Sequence, residues 1–71
     1  MNENDAKGLY RHFKGSLYEV LDVGTHTETG ERLVIYKSIE GPTGIWVRPY
    51  DMFFETVLVN EAEVSRFTKV N

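Results

Sequence analysis

The strongest constraint on the fold of this chain is a pair of hairpin patterns in its middle. In the first pattern, residues 26–30 form a loop between two segments rich in apolar and β-branched residues. One register opposes Val23 to Leu33, Leu21 to Ile35, Glu19 to Lys37 and Leu17 to Ile39. Apolar pairs and an opposite-charge pair on one face are what two antiparallel strands need. The pattern predicts an antiparallel sheet and does not by itself indicate a function.

A second hairpin follows around the turn Gly-Pro-Thr-Gly at residues 41–44. The favoured register opposes Ile39 to Ile45, Lys37 to Val47 and Ile35 to Pro49. A shift by one residue would place Lys37 opposite Arg48, a like-charge pair that costs stability. We therefore expect the odd-numbered side chains of residues 33–39 to face the core and the even-numbered ones to face solvent. Because Pro49 lacks an N–H donor, its strand should lie at a sheet edge.

The remaining apolar residues also fall in short segments separated by glycine, asparagine, threonine and proline. Together they predict five or six short strands in an all-β, antiparallel barrel or sandwich. The segment Asp-Met-Phe-Phe at residues 51–54 predicts a single helical turn. Asp51 is expected to cap that turn, while Met52 and one phenylalanine close the end of the barrel. The polar residues 1–7 predict a flexible tail before one β-domain spanning residues 8–71.

Composition narrows the function classes further. A chain of 71 residues without cysteine has no disulfide and no thiolate nucleophile. Chains of this size bury only about 60% of their unfolded surface, so the fold must rest on a thin core. The net charge of −3 counts against general nucleic-acid binding, which relies on concentrated lysine and arginine. There is no apolar run long enough to span a membrane and no secretion signal, so we expect a cytoplasmic protein.

Six short motifs carry a resemblance to a known family. In chain order they are Tyr10-Arg11-His12-Phe13-Lys14-Gly15, Tyr18-Glu19-Val20, His26-Thr27-Glu28-Thr29, Val34-Ile35-Tyr36, Trp46-Val47-Arg48-Pro49 and Met52-Phe53. Over residues 10–67 the sequence is similar to the small bacterial family catalogued as domain of unknown function 1653. The resemblance implies a small SH3-like barrel or roll and brings no established activity, substrate or cofactor. One departure is Ser65 before Arg66 and Phe67, where the family usually has proline, which affects only the path of the last strand.

The strongest candidate for a binding site is the even-numbered face of the second hairpin. In the favoured register Tyr36, Trp46, Arg48 and Tyr50 share an exposed surface above Val34. Aromatic residues and arginine dominate binding hot spots. The alternative is purely local: Arg48 stacks on the Tyr36 ring or pairs with a carboxylate.

A second basic and aromatic group lies near the start of the chain. Strand alternation places Tyr10, His12 and Lys14 on one side and Arg11 and Phe13 on the other. Arg11, His12 and Lys14 are therefore secondary candidates for ligand contact. The favoured interpretation of this segment is an edge strand protected by its charges. If it lay beside the Trp46 strand, the two groups would merge into one concave patch.

The sequence gives weaker support for a metal site or a catalytic site than for a binding surface. His12, His26 and Glu28 offer two imidazoles and one carboxylate, the ligand types of a metal site. Residues 25–30 are more typical of a hairpin loop, in which Gly30 supplies a positive φ. No serine lies in a nucleophile elbow and no phosphate-binding loop is present. We expect neither a cofactor nor a catalytic residue.

Three functions remain open from the sequence. The leading hypothesis is a binding module that takes a peptide, a protein or a single nucleic-acid strand on its aromatic and arginine face. The second is a metal-dependent or small-molecule enzyme at His12, His26 and Glu28. The third is a structural protein that self-associates through the aromatic face. We expect no membrane partner, and either a monomer or a weak homodimer.

Overall fold

The computed structural model describes residues 6–70 and shows a mostly β protein. Its elements are β1 Gly8–His12, β2 Leu17–Thr25, β3 Arg32–Ser38, β4 Ile45–Pro49, α1 Tyr50–Phe53, β5 Thr56–Val59, β6 Ala62–Ser65 and β7 Phe67–Lys69. The prediction of an all-β antiparallel fold with one helical turn is confirmed, although residues 6–70 form seven strands where five or six were predicted.

The strands form two antiparallel sheets. The larger has the order β4-β3-β2-β1-β7, and the smaller pairs β5 with β6. Strand β4 lies at an edge, as its proline predicted. Strand β1 lies between β2 and β7, so the interpretation of this segment as a protected edge strand was wrong. Two strands, β2 and β3, separate β1 from β4.

The first hairpin follows the predicted register only in the half distant from its loop. Glu19 lies opposite Lys37, and the carboxylate and ammonium groups are 3.6 Å apart. Nearer the loop the register moves by one residue, because a β-bulge lies between Val20 and Asp22. The Asp22 carboxylate accepts the N–H of Val23 at 2.8 Å beside this bulge. The extra residue turns both Val20 and Val23 inward, although strict alternation would place them on opposite faces.

The second hairpin is displaced by two residues from the predicted register. Lys37 lies opposite Ile45, whereas Val47 had been expected there. Strand β3 stops at Ser38, whose Oγ accepts the N–H of Gly41 at 2.7 Å and so begins the turn. Because side chains alternate with a period of two, this displacement leaves the membership of each face unchanged.

The direction in which the two faces point was predicted wrongly. Val34 and Tyr36 are buried, with 0% and 6% exposure, whereas Ile45 and Val47 are 60% and 56% exposed. The even-numbered face is therefore the inner face of the sheet. Both faces carry large apolar residues, so alternation alone could not decide between them. The decision comes from α1, whose Phe53 ring lies 5.3 Å from that of Tyr36.

The core is built around Phe53. Its ring stacks on Phe67 with centroids 4.0 Å apart and meets the edge of Tyr10 at 5.4 Å. One phenylalanine of residues 51–54 is thus buried in the core, as the sequence predicted. Met52, assigned the same role, is 45% exposed, and Asp51 does not cap the helix, because Pro49 occupies the N-cap position without a side-chain hydrogen bond.

Packing begins earlier in the chain than residue 8. Ala6 is fully buried, and its carbonyl accepts a hydrogen bond from the Tyr10 hydroxyl at 2.8 Å. Burial raises the pKa of Tyr10 above its usual value, and its electrostatic interaction with Tyr50 acts in the same direction with a smaller effect. Of the predicted flexible tail at residues 1–7, Lys7 is exposed, and residues 1–5 lie outside the described residues.

Candidate functional site

The inner face of the large sheet is open at one end and forms a pocket there. The register sets Tyr36 opposite Trp46 and Tyr18 opposite Ser38, so these side chains project from the same face. The cavity has a volume of about 280 Å³. Its lining, called here the Arg48 pocket, consists of Tyr18, Tyr36, Ser38, Pro42, Trp46 and Arg48.

Aromatic side chains supply the walls of the Arg48 pocket. Tyr18 and Tyr36 meet edge to face with centroids 5.7 Å apart. Tyr36 is buried, which fixes the position of the inner wall, whereas Trp46 at the sheet edge is 46% exposed. A partly exposed indole beside a fixed aromatic wall offers a flat apolar surface to a ligand.

Arg48 supplies the positive charge. Its side chain is partly buried, and its Nε donates a long hydrogen bond of 3.4 Å to Tyr36 Oη. Within residues 6–70 Arg48 forms no ion pair, in contrast to Arg66, whose Nη2 lies 2.6 Å from Glu55 Oε1. Its terminal nitrogens therefore have no carboxylate of the described residues to bind, and a planar guanidinium of this kind can pair with a carboxylate or phosphate.

His12 lies on the same inner face, on the far side of Tyr18. The two rings are 6.3 Å apart, and His12 Nδ1 accepts the N–H of Lys14 at 3.1 Å. In the neutral ring that hydrogen bond places the proton on Nε2. Burial lowers the pKa of His12. The positive charges of Arg66, Lys14 and Arg48 lower it further. This part of the surface is thus locally positive, although the chain as a whole carries a charge of −3.

The structure brings together most of the residues predicted for the first group. Tyr36, Trp46 and Arg48 share one pocket, though its inner wall is buried where an open face was expected. The contact between Arg48 and Tyr36 is a hydrogen bond, whereas the predicted local contact was stacking. Tyr50 lies elsewhere: it packs on Phe54 at 4.8 Å and is covered by the Arg32 guanidinium at 4.0 Å.

The second predicted group is divided between surfaces. His12 joins the inner face, but Arg11 is exposed on the other side, where its Nη1 donates to the Gly15 carbonyl at 2.8 Å. Lys14 follows β1 in the turn and contributes charge near His12 without lining the pocket. The two groups therefore meet only through His12, across Tyr18.

Three pocket residues were not selected from the sequence. Tyr18 and Ser38 were detectable, because the predicted first register already placed them opposite each other on the even-numbered face. Pro42 gave no such signal, since it reaches the pocket from the loop between β3 and β4. Loop residues of this kind are placed by tertiary structure.

The proposed metal ligands are not brought together. His26 Nδ1 accepts the N–H groups of Glu28 and Thr29, at 3.1 and 3.4 Å, and so caps its own hairpin loop. Nowhere between residues 6 and 70 do three histidine, aspartate or glutamate side chains lie in a position to hold a metal ion. His12, His26 and Glu28 thus do not form a site in this fold.

Comparisons with known proteins agree with the predicted resemblance. The family model described as a protein of unknown function, DUF1653, matches residues 8–69, so the chain belongs to this family. It is also similar to the crystal structure of a DUF1653 protein from Bordetella bronchiseptica, with 30% identity and a TM-score of 0.84. That match covers 97% of this chain and 92% of the other. No curated protein matches. In the described part of the chain, no helix has the length and apolar character needed to cross a bilayer.

Proposed function

We propose that this protein is a non-catalytic binding module whose ligand places an anionic group against Arg48. The observation that carries the proposal is the partly buried guanidinium of Arg48, which has no carboxylate partner among residues 6–70 and lies beside an exposed indole. A carboxylate or phosphate would pair with its planar fork, and an apolar or aromatic group would pack on Trp46.

The size of the pocket limits what can enter it. Its volume of about 280 Å³ lies at the lower end of small-molecule sites. One side chain or one base fits there, with the rest of the ligand lying across the surface. This is the arrangement expected for a macromolecular ligand that inserts one anchor group.

The residues around the pocket favour binding over catalysis. Its described lining contains a guanidinium, aromatic rings, a proline and one serine, without a carboxylate or imidazole to act as a base. Ser38 Oγ already accepts the N–H of Gly41 at 2.7 Å. General acid–base or nucleophilic chemistry needs a nucleophile beside a base, and the pocket lining contains no such pair.

Between the macromolecular ligands, a peptide or protein is favoured over a nucleic-acid strand. A net charge of −3 counts against a long polyanion, whose binding relies on many cationic side chains along its path. A peptide brings a single carboxylate to Arg48 and does not need them.

The test uses Trp46, the single tryptophan of the chain, as a fluorescent reporter. The protein is titrated with blocked peptides that contain glutamate two residues from leucine and, in parallel, with an oligothymidylate. We expect the peptides to change the fluorescence and Arg48→Ala to weaken that binding by about tenfold or more, the usual effect of losing a charge-assisted pair.

Lys37→Ala provides the matched control. Lys37 is an exposed cation on the outer face of β3, so its removal lowers the net charge equally without touching the pocket. Equal weakening by both variants would show nonspecific charge attraction and contradict the proposal. Circular dichroism must show Arg48→Ala to be folded; loss of cooperative unfolding would show that Arg48 is structural.

A further inference from the structure

Among residues 6–70, no strand pairs with the outer edge of β4, which lies beside the Arg48 pocket. The phase of the ladder follows from one hydrogen bond: the N–H of Ile39 donates to the carbonyl of Leu17 at 3.0 Å. Odd-numbered residues of β3 therefore direct their backbone groups toward β2, and even-numbered ones toward β4. Tyr36 accordingly exchanges hydrogen bonds with Trp46, which lies directly opposite.

The same phase identifies the groups on the free edge. Since Trp46 and Arg48 bond inward to β3, the N–H and C=O groups of Ile45 and Val47 point away from the sheet. Pro49 has no N–H and ends this edge. The free hydrogen-bonding positions thus alternate with the two pocket side chains along one short strand.

We propose that β4 binds an extended peptide as an added strand, which places an acidic side chain against Arg48 and an apolar one against Trp46. This inference rests on the proposed function, because it names the ligand of the Arg48 pocket. Strand addition at an open edge draws affinity from main-chain hydrogen bonds and specificity from alternate side chains.

The geometry of such a pair suits both side chains. Positions opposite Trp46 and Arg48 in an antiparallel added strand are non-hydrogen-bonded, with Cα atoms ~4.5 Å apart and side chains in close contact. They are two residues apart in the peptide, so both project toward the inner face. The alternate peptide residues lie beside Ile45 and Val47, whose side chains are 60% and 56% exposed on the outer face. The preferred segment therefore has an acidic and an apolar residue at alternate positions and apolar residues between them.

Charge distinguishes a partner peptide from a second copy of this chain. Strand β4 reads Ile-Trp-Val-Arg-Pro and contains no acidic residue. Pairing of two β4 strands would thus leave both Arg48 side chains without an anion. A peptide that carries aspartate or glutamate supplies the missing partner.

The experiment uses a library of blocked seven-residue peptides that alternate valine with two variable inward positions. Binding is measured by Trp46 fluorescence, and amide hydrogen exchange of the full chain is followed by NMR. We expect selection of an acidic residue at one inward position and an apolar residue at the other. Replacing the selected carboxylate by its amide should weaken binding by about tenfold.

The exchange data test the strand geometry. Bound peptide should slow exchange at Ile45 and Val47 by about tenfold or more and leave Trp46 and Arg48, which are already bonded, nearly unchanged. A peptide of the same side chains with N-methyl groups on its β4-facing amides should fail to bind.

Several outcomes would overturn the inference, and they differ from failure of the proposed function. Binding that depends on Arg48 without protection of Ile45 and Val47, or an N-methylated peptide that binds equally well, removes strand addition and leaves the Arg48 pocket as a binding site. A library from which nothing is selected also overturns it. So does a dimer detected by light scattering without peptide, if its Ile45 and Val47 amides are already protected from exchange. Peptide binding that is insensitive to Arg48→Ala contradicts the proposed function itself.

Discussion

The two ends of the inner sheet face carry similar aromatic residues, but one end is buried and the other is exposed to solvent. At the closed end, α1 lays Phe53 between Phe67 and Tyr10, and these rings are sealed from solvent. At the open end, Trp46 and Arg48 remain accessible above the buried Tyr36. Aromatic residues on one face can thus serve either stability or binding, and the element that covers them decides which.

A small domain can have both a stable core and an open pocket if its burial is confined to one end of the sheet. With 71 residues and no disulfide, the chain has to concentrate its burial in one place. It does so under a four-residue helix, α1, that covers only one end of the sheet. The other end is left with aromatic walls and with Arg48, which has no carboxylate partner among residues 6–70.

The largest effect is expected at the closed end. Phe53→Ala removes a fully buried ring and leaves a cavity beside Phe67, so the free energy of unfolding should fall by about 3–5 kcal/mol. Urea unfolding followed by circular dichroism measures this. The control is Phe13→Ala, which truncates a ring that is more than one-third exposed and should cost much less. Equal losses in the two variants would mean that the closed end is not the main source of stability.

A smaller loss of stability is expected when the Tyr10 hydroxyl, which donates a hydrogen bond to residue 6, is removed. Tyr10→Phe leaves the buried Ala6 carbonyl without its donor and should lower the free energy of unfolding by about 1 kcal/mol. Tyr50→Phe, on a partly exposed ring, serves as the control. If the two variants have equal unfolding midpoints, the bond between Tyr10 and Ala6 contributes nothing.

The open end should tolerate a larger truncation. Trp46→Ala removes a bigger ring than Phe53→Ala does, yet we expect it to cost at most about 1 kcal/mol, because nearly half of the indole is already in water. Urea unfolding by circular dichroism again applies, since the fluorescent reporter is lost. A cost near that of Phe53→Ala would show that the open end belongs to the core.

The smallest effect is a change in pH dependence at His12. Burial and the nearby cations lower the pKa of His12 in the folded state below its unfolded value of about 6.5. The unfolded chain then binds the proton more readily, so wild-type stability declines as pH falls from about 6.5 through the folded pKa. His12→Asn keeps an acceptor for the Lys14 N–H but does not titrate. Urea unfolding at several pH values should therefore show a shallower decline in the variant between pH 7 and 5, and parallel curves would contradict this.

Much of the fold could be predicted because it depends on local patterns. Alternation grouped Val34, Tyr36, Trp46 and Arg48 on one face correctly, and this grouping survived an error of two residues in the register of the hairpin. The Glu19–Lys37 pair was also placed correctly.

The remaining errors come from features with weak local signals. The bulge between Val20 and Asp22 adds one residue to β2 and breaks the period on which the register was based. At Ser38, a side-chain hydrogen bond to Gly41 ends the strand before its apolar pattern does. The bulge and the strand end each involve one local side-chain hydrogen bond, made by Asp22 or Ser38. The residue type alone does not predict that such a bond forms.

The sequence by itself determined the antiparallel strands and the partition of the β3 and β4 side chains into two faces, because these follow from backbone geometry and nearest-neighbour spacing. Only the tertiary structure decided which face became the interior. Both faces are apolar enough to be buried, and the choice depends on contacts that Tyr36 makes with Phe53 and Phe67, which lie outside the hairpin itself. The same packing leaves Arg48 at an open end, with an aromatic wall behind it and no carboxylate among the described residues to neutralise it.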